Sequence, residues 1–246
     1  MAHVAPTPRD VLWRDGCAAL YRFRRPEGVR AVSATPVLVV PSMINRWYVV
    51  DLRAGASLVG ALVAGGLDVH CLDWGTARDE DRYLTWDDVL ARLGRAVRFV
   101  ARTAGTPQVA LLGYCMGATL AGIYTALEPQ RVAALLNLAG PFDFAEGGFL
   151  RTMVDPAWFD ARAVAEAGNV SALQMQSGFV ALRPTSQLAK WVALADRGHE
   201  ASARDAFEAL DQWAGDNIPF PAAAYATYIE ELYQKNLLVR GEHRVA

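Results

Sequence analysis

Leu111-Leu112-Gly113-Tyr114-Cys115-Met116-Gly117 closes an apolar run that begins at Val109 and opens the helical-period stretch Ala118–Leu127. A strand that turns sharply into a helix around G-x-C-x-G has the form of a nucleophile elbow, with cysteine in the position serine more often holds. Such a turn brings backbone too close for side chains at Gly113 and Gly117, and it presents Cys115 at the top of a sheet. A thiol at a helix N-terminus is favoured as thiolate, the reactive form, by the helix dipole and free N–H groups. The competing reading is a small buried thiol beside two packing glycines. The strand before the motif and the helix after it favour the elbow.

Working outward, Val37–Val40 (VLVV), Val69–Leu72 (VHCL) and Val132–Leu138 (VAALLNL) are likewise continuous rather than alternating in hydrophobicity. Strands buried on both faces of a parallel sheet read this way. Leu58–Ala64 and Trp86–Thr103 lie between them as crossover helices. The second starts with Thr85-Trp86-Asp87-Asp88, a capping-box variant, and carries Val89, Leu90, Leu93, Val97 and Val100 at helical spacing. This order predicts an α/β fold with right-handed crossovers. Ala18–Phe23 alternates and predicts an antiparallel edge strand. From Pro141 to about Tyr233 no convincing strand occurs, and aromatics are spread through Ala-rich helical stretches. The reading divides the chain into a core over 1–140, a helical cap over 141–235, and the start of a return to the core over 236–246.

The 246 residues carry 24 Lys+Arg against 26 Asp+Glu, and 53% are hydrophobic. That describes one globular domain, or one with a large insertion, and excludes intrinsic disorder. With a formal charge of −2 and no block of like charges, nothing electrostatic points to nucleic acid or an anionic membrane, so small molecules are the expected partners. Cys17, Cys71 and Cys115 are too few and scattered for a disulfide framework or a metal site, which indicates a reducing cytoplasm. No signal-peptide core and no membrane-spanning apolar run is present in the sequence.

An elbow needs donors for the developing oxyanion. The backbone N–H of Met116 is one; the second is expected from the loop Pro41-Ser42-Met43-Ile44-Asn45, by position at Met43, although that loop also reads as an ordinary connection whose apolar residues only pack. A histidine base and an orienting acid normally follow the nucleophile in such a fold. His199, in Asp196-Arg197-Gly198-His199-Glu200, reads as solvated, and His243 lies four residues before the last. His70 reads as packed on a strand and His3 as part of a tail. None reads as the base.

Together these residues resemble the polyhydroxyalkanoate synthases, cysteine acyltransferases that polymerise hydroxyacyl-CoA thioesters. The likeness rests on blocks in order: Val39-Val40-Pro41-Ser42-Met43-Ile44-Asn45-Arg46-Trp47-Tyr48 with Asp51-Leu52; Gly66-Leu67-Asp68-Val69 and Leu72-Asp73-Trp74-Gly75; Asp81-Arg82-Tyr83-Leu84-Thr85; the elbow; and Asp216-Asn217-Ile218-Pro219 with Leu232-Tyr233-Gln234-Lys235-Asn236. The short N-terminal segment resembles the two-subunit class. The resemblance implies an α/β-hydrolase fold with a mobile cap, (R)-3-hydroxyacyl-CoA as substrate with no cofactor, and thioester intermediates on Cys115. It also implies a dimer, a second synthase subunit, and attachment to cytoplasmic polymer granules. The family's catalytic Asp and His follow two further strands. No position here matches them, so the chain reads as a fragment lacking those strands, with an open sheet edge and little turnover of its own. Asp73 reads as capping a loop rather than lining a pocket, Arg46 as a solvated loop arginine or a contact for a CoA phosphate, and the cap aromatics chiefly as the cap's own core.

Two alternatives stand beside this. Dienelactone hydrolases also carry cysteine in this elbow, and for that reading Asp160 and His199 would complete a triad. A non-catalytic chain that binds a partner or a granule surface is the other.

Overall fold

The computed structural model describes residues 3–182 and 200–245. A six-stranded sheet has the order β1-β2-β6-β3-β7-β8, formed by β1 (Arg9–Asp15), β2 (Ala18–Phe23), β3 (Val37–Val40), β6 (Val69–Asp73), β7 (Val109–Tyr114) and β8 (Val132–Leu138); β4 (Asp51–Arg53) and β5 (Ala56–Ser57) form a small separate pair. β6, β3, β7 and β8 run parallel, and β1 and β2 are antiparallel. Successive side chains of β3 enter two different cores. Leu38 and Val40 pack with Leu93, Val97 and Leu120 on one face, while Val37 and Val39 pack with Val59, Val63 and Trp47 on the other. A strand covered on both sides must be apolar at every position, which is why its sequence does not alternate.

The crossover helices are α1 (Leu58–Ala64), α2 (Trp86–Ala104) and α3 (Met116–Leu127). At the start of α2 the Thr85 hydroxyl accepts from the Asp88 N–H at 3.1 Å and the Asp88 carboxylate accepts from the Thr85 N–H at 2.9 Å. Gly105, with φ of 68°, ends that helix in the left-handed conformation. Beyond β8 lie α4 (Phe149–Met153), α5 (Ala161–Glu166), α6 (Ala172–Leu182), α7 (Ala201–Gly215), α8 (Ala222–Thr227) and a π-helix (Tyr228–Gln234). Among the described residues after β8, the extended pairing consists of two isolated bridges, Val170 to Phe220 and Asn217 back to Asn45.

Two expectations are corrected. Ala18–Phe23 is antiparallel but is not the edge, because Arg9–Asp15 pairs outside it around a tight turn at Gly16-Cys17. The Asp15-Gly16 step and the flanking Val11 and Trp13 carried that hairpin signal. β8 is not buried on both faces: only Val132 is, and Leu135, Leu136 and Leu138 are 38%, 49% and 43% exposed. Continuous hydrophobicity marks such a strand without saying what covers it. No described helix is long and apolar enough to cross a membrane.

His70 sits on β6, fully buried, and neither ring nitrogen has a hydrogen-bond partner. Burial pushes its pKa down to about 4, so the folded protein holds it neutral while the unfolded chain takes up a proton below about pH 6.5. Stability is therefore fully present above pH 6.5 and is lost as pH falls toward 4. In urea unfolding, the loss between pH 7 and 4.5 should be about 2–3 kcal/mol larger for the natural chain than for His70→Leu; equal losses would contradict a neutral buried imidazole.

Candidate active site

Cys115 joins β7 to α3 with φ of 54° and ψ of −130°, a region that side chains rarely occupy unless neighbouring structure enforces it. The enforcement is visible at the two glycines. A Cβ on Gly113 would lie 2.2 Å from the Ala118 Cα, and one on Gly117 would lie 1.9 Å from the Val40 carbonyl oxygen and 2.5 Å from that of Pro41. The Cys115 N–H donates to the Leu138 carbonyl at 2.9 Å, and its carbonyl accepts from the Ala118 N–H at 2.9 Å. The elbow is thus held between the ends of β3 and β8. Ala139, directly after β8, also has a positive φ of 56°.

The Cys115 thiol is half-buried. Burial pushes its pKa above the usual thiol range, and the neighbouring Met116 backbone, at the start of α3, offsets only part of that. The expectation of a resting thiolate is therefore corrected: exclusion of water outweighs the helix N-terminus here. Met116 and Met43 are both buried in the core that includes Val40. Since Gly117 abuts the Val40 and Pro41 carbonyls, the loop carrying Met43 starts directly beside the elbow. That loop is fixed by the Trp74 indole N–H donating to the Pro41 carbonyl at 2.8 Å and by the Ile44 N–H donating to the Ser42 hydroxyl at 3.3 Å. Among the described residues, no group of three or more His, Cys, Asp or Glu side chains is placed to hold a metal ion.

Asp73 caps its loop, accepting from the Gly75 N–H at 2.9 Å and the Tyr21 hydroxyl at 2.8 Å. Arg46 is neither free in solvent nor waiting for an anion. Its guanidinium pairs with Asp216 at 3.1 Å and donates to the Thr76 hydroxyl at 3.0 Å. Asp216 also accepts from the Tyr48 hydroxyl at 2.8 Å, the Asn45 amide donates to Asn217 at 2.6 Å, and the Trp213 indole donates to the Arg46 carbonyl at 3.1 Å. Two sequence blocks far apart in the chain thereby become one hydrogen-bonded seam. Asn236, with φ of 50°, makes a second tie: it accepts from the Phe144 N–H at 3.0 Å and donates to Asp143 at 2.8 Å. Of the helical aromatics, Phe144, Phe220, Tyr225 and Tyr228 are buried with Trp86, whereas Phe149 and Trp158 are exposed.

His199 lies outside the described residues, and His3 is exposed. Asp160 caps α5, accepting from the Arg162 and Ala163 N–H groups at 2.9 and 3.0 Å, so its carboxylate is engaged at a helix start. His243 has a partner the sequence did not reveal: its Nδ1 lies 2.8 Å from the Glu231 carboxylate, while Nε2 is buried without one. The chain turn at Gly241 brings that pair together, a contact no local pattern encodes. Tyr233, part of the last sequence block, and Tyr228 both meet the Phe144 ring, and burial pushes both phenols up.

With this geometry in view, the chain matches the family model described as "alpha/beta hydrolase fold" over residues 35–239, and the model "Poly-beta-hydroxybutyrate polymerase (PhaC) N-terminus" over residues 2–62. It is 32% identical over 97% of its length to the poly(3-hydroxyalkanoate) polymerase subunit PhaC of Haloferax mediterranei, of which it covers 49%. It is 32% identical over 96% of its length to the subunit of that name from Synechocystis, of which it covers 64%. For the Allochromatium vinosum subunit the figures are 29%, 96% and 67%.

Two outcomes follow from the site. Cys71 is fully buried with its thiol pKa pushed well up, and Cys17, also raised by burial, donates to the Trp74 carbonyl. Limiting alkylation followed by peptide mapping should label Cys115 first, with a rate still climbing above pH 9 because the thiol pKa is raised; earlier labelling of Cys17 or Cys71 would refute the ranking. Gly117→Ala forces a methyl against the β3 backbone and should cost about 3 kcal/mol or more in urea unfolding. Gly178→Ala, in α6 with nothing within 4 Å of the added carbon, should instead be neutral or stabilising by up to about 1 kcal/mol.

Proposed function

The chain belongs to the alpha/beta hydrolase fold family and is related along nearly its whole length to poly(3-hydroxyalkanoate) polymerase subunits, and from that premise we propose that it carries the acyl-transfer centre of a polyester synthase acting on (R)-3-hydroxyacyl-CoA, with Cys115 as nucleophile. The observation that carries the reading is the cysteine held at φ of 54° between Gly113 and Gly117, at the N-terminus of α3. The chain spans 49% of the Haloferax relative's length and 64% of the Synechocystis relative's, so the activity of the whole synthase is part of the proposal.

In this reading the Cys115 sulfur attacks the thioester carbonyl. A new carbon–sulfur bond forms, the carbonyl becomes an oxyanion received by the Met116 N–H and that of Met43, and the CoA thiolate leaves and takes up a proton. Because the resting thiol is protonated, its proton must first pass to a base. His243 has Glu231 on Nδ1, as an orienting acid would be, but its Nε2 is buried without a partner and no contact in the structure places it at Cys115, so the reading assigns that base to no described residue. Loss of a general base costs about 10²–10⁴ in rate, which makes slow acylation with little turnover the expectation for these residues. CoA enters as part of the substrate, and no resident cofactor is invoked. A second subunit, a dimer, and the growing polymer on a cytoplasmic granule are the proposed partners.

The test is incubation with 3-hydroxybutyryl-CoA, following free CoA and the intact mass of the protein. One acyl group should accumulate slowly on Cys115, and Cys115→Ala should abolish it. Acylation at Cys17 or Cys71, or none at all, would overturn the assignment. Lactone hydrolysis that disappears in His199→Ala would favour the dienelactone-hydrolase alternative.

A further inference from the structure

Away from Cys115, a cavity of about 740 Å³ opens beside α1, within the range of about 300–1,000 Å³ usual for small-molecule sites. Its apolar walls come from Pro6 and Pro8 before β1, Pro26 after β2, Ala54 between β4 and β5, and Ala61 and Val63 of α1. The corner after β2 stands where the parallel strands start, because β2 runs antiparallel to β6 and sets Arg22 against His70, one residue past the first of β6. Cys115 follows the last residue of β7, at the other end of the sheet.

Most polar groups on these walls are bonded within the protein. Asp51, fully buried, accepts from the Thr7 N–H at 3.1 Å, the Thr7 hydroxyl at 2.7 Å and the Ser57 hydroxyl at 2.6 Å. The Ser57 hydroxyl in turn accepts from the Gly60 N–H at 2.7 Å. The Pro8 carbonyl accepts from the Arg24 N–H at 2.8 Å, and the Arg24 guanidinium donates to the Asp10 carboxylate at 2.9 Å. The wall prolines have no N–H to offer.

Arg25, which lines the same cavity, is the exception. Its Nε is buried without a hydrogen-bond partner, and among the described residues its side chain forms no ion pair. Arg25 also borders a smaller cavity of about 310 Å³, together with Arg22, Arg24, Asp10 and Asp68. There Arg22 takes Asp68 at 2.8 Å and Arg24 takes Asp10. Three guanidinium groups thus share two carboxylates, and the charge left over belongs to Arg25. A guanidinium cannot shed that charge by losing its proton, and a buried donor without a partner is costly.

What the walls offer a ligand is therefore apolar surface and one cation. We propose that this cavity binds a linear aliphatic carboxylate, its chain against Pro6, Pro8, Ala61 and Val63 and its carboxylate on the Arg25 guanidinium. A carboxylate matches the planar fork of a guanidinium, and a chain without further polar groups leaves none unpaired against the proline walls. A peptide would instead bring backbone N–H and C=O groups to a surface whose own donors and acceptors are already engaged. The site is separate from Cys115 and does not depend on the acyl-transfer reading.

The experiment is titration calorimetry of the natural chain, Arg25→Gln and Ala61→Phe with decanoate, decanol and acetate. Ala61 is an exposed residue of α1 on the cavity wall, so a phenyl ring there fills the space without touching Arg25. Cooperative thermal unfolding reports whether each variant keeps its fold. Decanoate should bind the natural chain at one site per molecule, and Arg25→Gln should weaken it about tenfold, as expected for a charged hydrogen bond. Ala61→Phe should weaken it at least as much. Decanol should bind the natural chain about tenfold more weakly than decanoate and lose nothing in Arg25→Gln, and acetate should not compete. Equal binding of decanol and decanoate, competition by acetate at the concentration of decanoate, or decanoate affinity unchanged in Arg25→Gln would overturn the proposal. No binding of decanoate to the natural chain would overturn it as well. Should Arg25→Gln fail to fold, Ala61→Phe decides: lost binding supports the site, and unchanged binding refutes it.

Discussion

Gly117 lies so close to the end of β3 that even a methyl group there would stand 1.9 Å from the Val40 oxygen. Everything near Cys115 depends on it. Because α3 begins against the end of β3, the chain must reverse within the single residue between β7 and α3, which forces Cys115 to φ of 54°. Such a conformation costs about 1–3 kcal/mol and persists because the surroundings leave no other path. The same contact sets the loop of Met43 beside the elbow, where Trp74 anchors its first carbonyl. The strain at Cys115 and the setting of the loop beside it are thus consequences of one packing distance.

Burial works in two directions at this site. It keeps the Cys115 thiol protonated, since a thiolate would lose its hydration, and in that sense it opposes the dipole and N–H groups of α3. Yet a water-poor setting strengthens each hydrogen bond made inside it, including those to a developing oxyanion. A resting neutral thiol and a well-stabilised transition state are compatible when the nucleophile becomes charged only as its proton leaves. Cys71 shows what burial does without such donors: the thiol is wholly enclosed on β6, its pKa raised further still.

The parallel strands and crossover helices were legible because each is specified by its own neighbours in sequence. Residues of β3 alternate between two apolar cores, and the caps of α2 are local hydrogen bonds between Thr85 and Asp88. The elbow was legible for the same reason, since its glycines answer to backbone within a few residues and to one adjacent strand. What could not be read depends on distant partners. Arg46 looked solvated because Asp216 lies 170 positions away. β8 looked buried because apolar composition does not say whether a neighbour covers it. The π-helix was invisible because three unrelated contacts, through Glu230, Glu231 and Gln234, select its winding over that of an α-helix.

Those distant contacts also decide how the helical layer relates to the core. Its later part is tied to the loop after β3 through Asn217, Asp216 and Trp213, and its two ends are joined where Asn236 binds Asp143 and Phe144. A half-exposed ion pair such as Arg46 to Asp216 adds little stability by itself. Its value is positional, because the neighbouring amide pair, indole and Tyr48 hydroxyl all converge on the same three residues of the loop. Asn45 stands two residues from Met43, so the layer and the candidate oxyanion loop are mechanically one unit at that point. Any motion of this layer relative to the core must therefore either break this seam or pivot about it. Pivoting keeps the loop registered against Gly117, whereas breaking the seam releases Asn45 and Arg46, and with them the geometry that Met43 needs to serve as a donor.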